Sequence, residues 1–441
     1  MIQQKFRLLC WLLVLMIVGT GCNEVKNLTQ SIIYKSERER YEAALNKYPF
    51  AEKPMTQEWM AAGENALKDS LEANTPLREK IYFRRDQTRA VSYQIDLQEG
   101  EIATFRMNKN PSTTQVFMDL HYVFPLTRET ELVTAADTTN TIQFEVDETG
   151  TYLIRLQPEL LVDIAVDFSI IISPVLSFPV EGRSNSDIGS RWGAPRDGGR
   201  RKHKGIDIFA PRGTPLLAAT DGVISSVRNR GLGGKQVWLQ DLSRQQSLYY
   251  AHLDSQMVRQ GQRVQVGDTL GTVGNTGNAR FTPPHLHFGI YKWQGGAIDP
   301  EPFVYQQSTD LPAINVKEEK FGRLARTNQR IQLRSRPTAK GKLLQTLPRH
   351  LAIQVVGGIK NWYRVQLLDG TQGYVYQTAV SDLDRSIRNF TLKSEQELLA
   401  RPSADAPPVG GLAVGDKIAV LAEVGDFLLL KSANGWGWLL G

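Results

Sequence analysis

Four of the six histidines in this 441-residue chain fall within one stretch, at spacings that suit a site. They read His203-Lys-Gly-Ile-Asp207, Tyr-Ala-His252 and His285-Leu-His287. Neutral imidazoles and a carboxylate converging on one point are ligands that zinc takes, with one coordination position left for water. His285 and His287 stand two residues apart, with Leu286 and Phe288 between and after them. On a strand, that spacing puts both imidazoles on one face and both apolar side chains on the other. Ile206 and Ile208 flank Asp207 in the same way. Two strands with one polar face each therefore have the means to close on a metal. Either piece alone is weak evidence, because a His-x-His pair is more often a surface feature than a ligand set.

The elements that must hold these residues are short apolar runs punctuated by Gly and Pro: Gly222-Val-Ile, Val237-Trp-Leu, Leu248-Tyr-Tyr and Val264-Gln-Val-Gly-Asp. An antiparallel β architecture with the site in a groove between loops fits that pattern. Tyr249 and Tyr250 precede His252, so alternation puts one in the core and the other near the site. Gly198 to His203 is a basic loop beside the first histidine. It reads equally well as a grip for peptide carboxylates or glycan-linked anions and as a solvated loop.

The surroundings of these residues carry a resemblance. Gly189-Ser-Arg191-Trp-Gly193, Ile208-Phe-Ala-Pro211-Arg-Gly213-Thr-Pro215, Ala219-Thr-Asp-Gly222 and Gly274-Asn-Thr-Gly277 lead to Pro284-His285-Leu-His287-Phe. From about Phe178 to Val304 the chain resembles the LytM/lysostaphin-type zinc metallopeptidases, which cut peptide stems and cross-links of peptidoglycan. The resemblance implies one Zn2+ per chain, with His203, Asp207 and His287 as its ligands and His252 and His285 as unligated catalytic histidines. It implies hydrolysis of an amide by metal-activated water, with a histidine moving the proton because its pKa lies near working pH. His285 is expected as the main base, and His252 as stabiliser of the tetrahedral intermediate or second proton carrier; the sequence leaves the two roles exchangeable. The flanks Arg280-Phe-Thr-Pro283 and Gly289 depart from the small or hydroxyl residues and the Glu common in the family. That departure touches the substrate groove and leaves all five site residues in place.

The rest of the chain divides around this segment. Residues 1–22 read as a lipoprotein-type signal peptide: Lys5 and Arg7, an apolar run from Leu8 to Val18, then Gly19-Thr-Gly21-Cys22. That run is short for a membrane span, which needs about 20 apolar residues. Cys10 lies inside it and Cys22 at its processing site, so the mature chain has no cysteine pair to oxidise. Residues 23–85 are a helical and linker region, with Tyr41, Ala44, Leu45 and Tyr48, then Trp59, Ala62, Ala66 and Leu67 at helical spacing on either side of Pro49 and Pro54. Residues 86–175 alternate as Tyr93, Ile95, Leu97; Val116, Met118, Leu120; and Tyr152, Ile154, Leu156, which suggests a β-sandwich accessory domain. His121, alone there, reads as structural. After the metallopeptidase domain at 178–305 and a polar linker at 306–324 comes a repeat. Leu333-Arg-Ser-Arg-Pro337 is echoed by Leu398-Leu-Ala-Arg401-Pro402, and Gly373-Tyr374-Val375 by Gly437-Trp438-Leu439. The units 325–382 and 390–441 resemble bacterial SH3-like barrels, whose aromatics form either a binding groove or a barrel core.

The fold class expected is therefore mainly β and multidomain: a short helical N-terminal segment, a β-sandwich, an antiparallel β metallopeptidase domain and two SH3-like β-barrels. A net charge of +6 is too small to argue for nucleic acid and is compatible with an anionic polymer such as the cell wall. The function expected is an exported zinc endopeptidase that remodels the cell wall by hydrolysing peptidoglycan cross-links, anchored to a membrane through lipidated Cys22. A non-catalytic regulator on the same fold, or a wall-binding lipoprotein, competes with it. Such regulators lack ligand or catalytic residues, and here all five are present. The long N-terminal region is a candidate for occluding the groove.

Overall fold

A computed structural model of the chain describes residues 36–136, 139–432 and 435–441; the expected signal segment and Cys22 lie outside them. Two helices come first, α1 (Glu37–Leu45) and α2 (Pro54–Lys68). Ser36 and Glu39 cap α1 reciprocally, and Pro54 opens α2 at a position where its missing N–H costs nothing. Trp59 of α2 is almost wholly buried, donates Nε1–H to the Pro158 carbonyl at 2.8 Å and meets the Tyr41 and Phe117 rings. The helices thus serve as a lid on a β-sandwich. Among the described residues no helix is long and apolar enough to cross a membrane.

One layer of the sandwich has strands in the order 71–72, 91–97, 150–158, 116–123 and 130–136. The other contains β1 (Leu77–Phe83), β2 (Glu101–Asn110) and β3 (Ile164–Pro174), with β3 between β1 and β2. Tyr93, Phe105, Leu120, Ile154, Phe168 and Ile170, all fully buried, fill the space between the layers. The first sandwich strands begin upstream of residue 86. In β1 every second side chain is buried, but one of these is Glu79, and a charge at a core position hides the alternation from a reading of the sequence.

The segment that carries the histidines forms its own sheet. Its central strands are β4 (Ile206–Phe209), β5 (Gln246–Ala251) and β6 (His285–Lys292), with β6 between the other two. Strands 235–241 and 222–229 continue the sheet beyond β5. Ile206, Ile208, Leu286 and Phe288 point to one side and are fully buried with Leu253, Leu270 and Val273 from a second, three-stranded sheet. Each such side chain contributes roughly 2 kcal/mol through removal from water. That apolar face is what aims the alternate residues of the same strands outward.

The first C-terminal repeat does not hang free. Its strand β7 (Ala352–Ile359) pairs antiparallel with β1, Lys80 opposite Gly358 and Ile81 opposite Gly357, so one sheet runs from the sandwich into the repeat. Gly357 permits this approach: a Cβ there would lie 2.5 Å from the Lys80 carbonyl oxygen. Strands β8 (Trp362–Gln366) and β9 (Gln372–Tyr376) follow. From them Arg364 and Tyr374 enter a buried cluster with Glu79 and Tyr93 of the sandwich. Val316 and Phe321, within the polar stretch after Tyr305, pack in the core of this repeat. The second repeat forms a six-stranded sheet and shares an apolar cluster with the first, in which Ala352 and Leu383 meet Leu421, Leu429 and Trp438.

Candidate metal centre

Register places the site. Asp207 of β4 is directly opposite His287 of β6, and Phe209 opposite His285, so the carboxylate and both imidazoles share the polar face of the sheet. His203 precedes β4 at the end of a turn closed by His203 N–H to the Ala194 carbonyl (2.8 Å) and Gly193 N–H to the His203 carbonyl (2.9 Å). Gly205 keeps this turn close to β6; a Cβ there would lie 2.8 Å from Cε1 of His287. The convergence is tight. His203 Nε2 is 2.9 Å from His287 Nδ1, and Asp207 Oδ1 is 3.0 Å from each of those nitrogens.

His252 arrives by a different device. Tyr250 faces the core and Ala251 the polar side, so strict alternation would bury residue 252 in the core. Instead His252 takes a left-handed backbone (φ +67°), and Leu253 reoccupies the core position. For a non-glycine residue that conformation costs on the order of 1 kcal/mol. It turns the imidazole to the site, with ring centroids 5.1 Å from His285 and 5.9 Å from His287.

Backbone carbonyls set the tautomers. A carbonyl can only accept, so His203 Nδ1–H donates to Arg191 (3.0 Å), His252 Nδ1–H to Thr276 (2.8 Å) and His285 Nδ1–H to Pro283 (2.8 Å). Each ring, when neutral, is left with its lone pair on Nε2. For His203 and His285 that atom faces Asp207, at 3.0 and 4.0 Å. Burial raises the pKa of Asp207, but the His203 and His287 rings against its oxygen outweigh that and hold the carboxyl well below the usual carboxylate range. Burial lowers His252 to about 4, helped by His285 and His287, and burial also lowers His287. The outer oxygen of Asp207 accepts from Arg196 Nη2 at 2.6 Å, and the same nitrogen donates to Ser190 Oγ at 2.8 Å.

The donor set fits a metal ion. Two imidazole nitrogens and one ionised carboxylate form a triangle with edges of 2.9–3.0 Å. A tetrahedral zinc site with bonds of about 2.0–2.1 Å has edges of about 3.3 Å, so each atom needs to retreat by only a few tenths of an ångström. Among the described residues, this trio is the one group of His, Cys, Asp or Glu side chains arranged to hold a metal.

Two family models match the chain. Residues 201–300 match peptidase family M23, and residues 330–381 match the bacterial SH3 domain. The chain contains an M23 peptidase domain. Over 137 residues it is 36% identical to the L-Ala--D-Glu endopeptidase of Bacillus subtilis, covering 29% of this chain and 42% of that protein. Over 115 residues it is 38% identical to the peptidoglycan DD-endopeptidase ShyC of Vibrio cholerae, covering 25% of this chain and 26% of that protein. The chain thus spans less than half the length of either relative. Among solved structures, the catalytic domain of lysostaphin from Staphylococcus simulans is 34% identical, with 26% of this chain and 89% of that one covered and a TM-score of 0.24.

Within the M23 domain the structure brings together all five residues singled out from the sequence: His203, Asp207, His252, His285 and His287. Tyr249 lies on the site face, its ring 5.8 Å from His287, while Tyr250 is buried in the core. Sequence reasoning missed Arg196, which reaches Asp207 across a hairpin, and the three orienting carbonyls, which carry no side-chain signal. It also missed a floor of Trp238, Tyr249 and Tyr291 beyond His287, with Trp238 4.4 Å from Tyr249 and 5.1 Å from Tyr291. Period-2 alternation in strand 235–241 was the available signal, since Trp238 is paired with Tyr249 in register. His121 is far from this centre, buried in the sandwich.

Proposed function

We propose that the protein is an exported, zinc-dependent endopeptidase that hydrolyses peptide cross-links of peptidoglycan. The observation that carries the reading is the five-residue constellation on one sheet face, with three ligand atoms within 3.0 Å of one another and two further imidazoles beside them. His203 Nε2, His287 Nδ1 and Asp207 Oδ1 would hold the ion, and Arg196 fixes the carboxylate from its other oxygen. When bound there, zinc supplies Lewis acidity that activates water and polarises a carbonyl. His285 Nε2, with Nδ1 pinned by Pro283, accepts a proton from the attacking water and returns it to the leaving amine nitrogen as the C–N bond breaks. His252, whose ring centroid lies 5.1 Å from that of His285, stabilises the tetrahedral intermediate or passes the proton on. The mutually inclined rings of Trp238, Tyr249 and Tyr291 give an extended peptide an aromatic surface to lie against.

The other domains fit a wall enzyme. The first SH3-like repeat carries a groove of about 670 Å³ lined by Arg330, Arg334, Trp362 and Tyr376, with the two aromatic rings 5.4 Å apart. We assign it to wall peptides. Residues 1–22 would direct export and leave Cys22 lipidated, anchoring the enzyme at a membrane in the bacterial envelope. The test is digestion of purified cross-linked peptidoglycan by the mature protein, beside His285→Ala and a chelated sample, with zinc content measured on all three. Loss of cross-linked dimers that requires both metal and His285 is expected. Cleavage that survives either removal, or none by the zinc-loaded protein, overturns the reading.

A further inference from the structure

The walls of the candidate groove are far more basic than the protein. Three segments form them. Hairpin 195–202 leads into His203, with Pro195 opposite Lys202 and Arg196 opposite Arg201. Loop 228–235 touches His252, whose N–H donates to the Gly233 carbonyl at 2.9 Å. Loop 275–284 supplies the carbonyls that orient His252 and His285, and Asn278 N–H ties it to Leu232 of the neighbouring wall at 3.0 Å. Across 190–205, 228–235 and 275–284 the sequence has ten Lys or Arg and a single acid, Asp197. That is a net +9 against +6 for the whole chain, so everything outside the walls is net negative.

Five of these cations are spoken for. Arg191 pairs with Glu301, Arg196 with Asp207 and Arg201 with Asp197, while Lys235 Nζ donates to the Asp254 carbonyl and Arg200 Nε to the Asp197 carbonyl. Lys202, Lys204, Arg228, Arg230 and Arg280 are exposed and, among the described residues, form no ion pair. Folding gains little from holding five such cations near one site, where they repel one another. A concave site of one sign concentrates ligands of the other sign and orients them.

We infer that this groove selects peptides with free carboxylates beside the scissile bond, such as acidic stems joined directly, over neutral glycine bridges or amidated stems. The inference rests on the peptidase reading and specifies its substrate class. A neutral bridge offers these side chains nothing to bind, whereas each carboxylate within reach of a guanidinium or ammonium gains a charge-assisted hydrogen bond. Arg280, 4.7 Å from the exposed Phe281 ring, lies on the loop whose Pro283 carbonyl orients His285.

The experiment uses the zinc-loaded mature protein and two cross-linked stem-peptide dimers, identical except that the carboxylates of one are amidated. We expect the free acid to be favoured at least tenfold in kcat/KM at low salt, with the preference shrinking as salt rises. Lys202→Gln, Arg230→Gln and Arg280→Gln each raise KM for the free acid roughly two- to fivefold. Combined, they bring the two substrates close to parity. Equal rates for both dimers, or a preference indifferent to salt, overturn the inference while leaving the peptidase reading intact. Because the salt series uses the unaltered protein, its outcome does not depend on the variants folding. Cleavage of neither dimer overturns the peptidase reading and this inference with it.

Discussion

Replacing Glu79 with Gln, or Arg364 with Met, probes how the sandwich and the first SH3-like repeat are joined. Both side chains are buried to within 1% of full exclusion from solvent, with Arg364 Nη1 3.5 Å from Glu79 Oε2. Tyr93 and Tyr374 donate to the same oxygen at 2.7 and 2.8 Å, and the guanidinium carbon lies 4.9 Å from the Tyr93 ring centre. At an effective dielectric of about 20, the Coulomb attraction at this distance is about 5 kcal/mol, comparable to the several kcal/mol needed to dehydrate each ion. The intact pair therefore adds little net stability, but losing one partner strands the other charge in the core at a cost of about 3–5 kcal/mol. Hydrogen exchange at Lys80, Ile81, Gly357 and Gly358, whose strands meet at this junction, reads that cost locally. Each single substitution should reduce protection there by roughly 150- to 5000-fold. The double variant should recover part of the loss, with a coupling of about 2 kcal/mol or more. Unchanged protection in the single variants, or strictly additive losses in the double, would refute the claim that this pair locks the two domains.

Two further outcomes follow from other sites. Arg196→Gln removes the outer anchor of Asp207 and should weaken zinc binding about 10- to 100-fold in a chelator competition; an unchanged dissociation constant would show that the arginine does not position the carboxylate. His121 is lowered to about 3 by burial, then by Arg155 and Arg38, so the unfolded chain binds more protons than the folded one between pH 6.5 and 3. Its contribution is fully present above pH 6.5 and is lost by about 1.4 kcal/mol per pH unit as pH falls towards 3. His121→Gln should flatten that slope in denaturant titrations, and an unaltered slope counts against it.

Asp207 and His287 were legible because alternation places them: Ile206-Asp207-Ile208 and His285-Leu286-His287 each declare which face is buried, whereas His203 precedes β4 in a turn that no period announces. Neighbouring motifs supplied the rest through resemblance. His252 was legible as a residue type but not as a position, because a left-handed backbone breaks the period that would have sent it into the core. β1 was unreadable for the opposite reason. Its alternation is regular, yet it includes a glutamate whose partner, Arg364, lies in a different domain, and no local pattern announces that Glu79 will be neutralised in a core. Arg196 shows the same limit at shorter range, since a hairpin rather than a helical or strand period brings it to Asp207.

These long-range contacts decide how the groove is carried. Lys292 ends β6, five residues beyond His287 and therefore about 17 Å along the strand. There it pairs with Glu99 at 2.8 Å, and Arg244, at the turn before β5, makes two bonds to Glu145 at 2.6 and 2.9 Å. The sandwich thus grips the M23 domain at the end of the sheet away from its histidines. The same sandwich shares a continuous sheet with the first repeat through β1 and β7, and the stretch between the M23 domain and that repeat is tied down by Gln307 on Glu101 and by Val316 and Phe321 in the repeat core. A flexible tether would let two binding sites find each other over a range of separations, with an effective concentration set by its length. Here a shared sheet fixes the repeat on the sandwich, and the Lys292–Glu99 and Arg244–Glu145 pairs tie the M23 domain to the same sandwich. On the proposed reading, a polymer engages both together only where its cleavable bond and its bound segment match the spacing this sets.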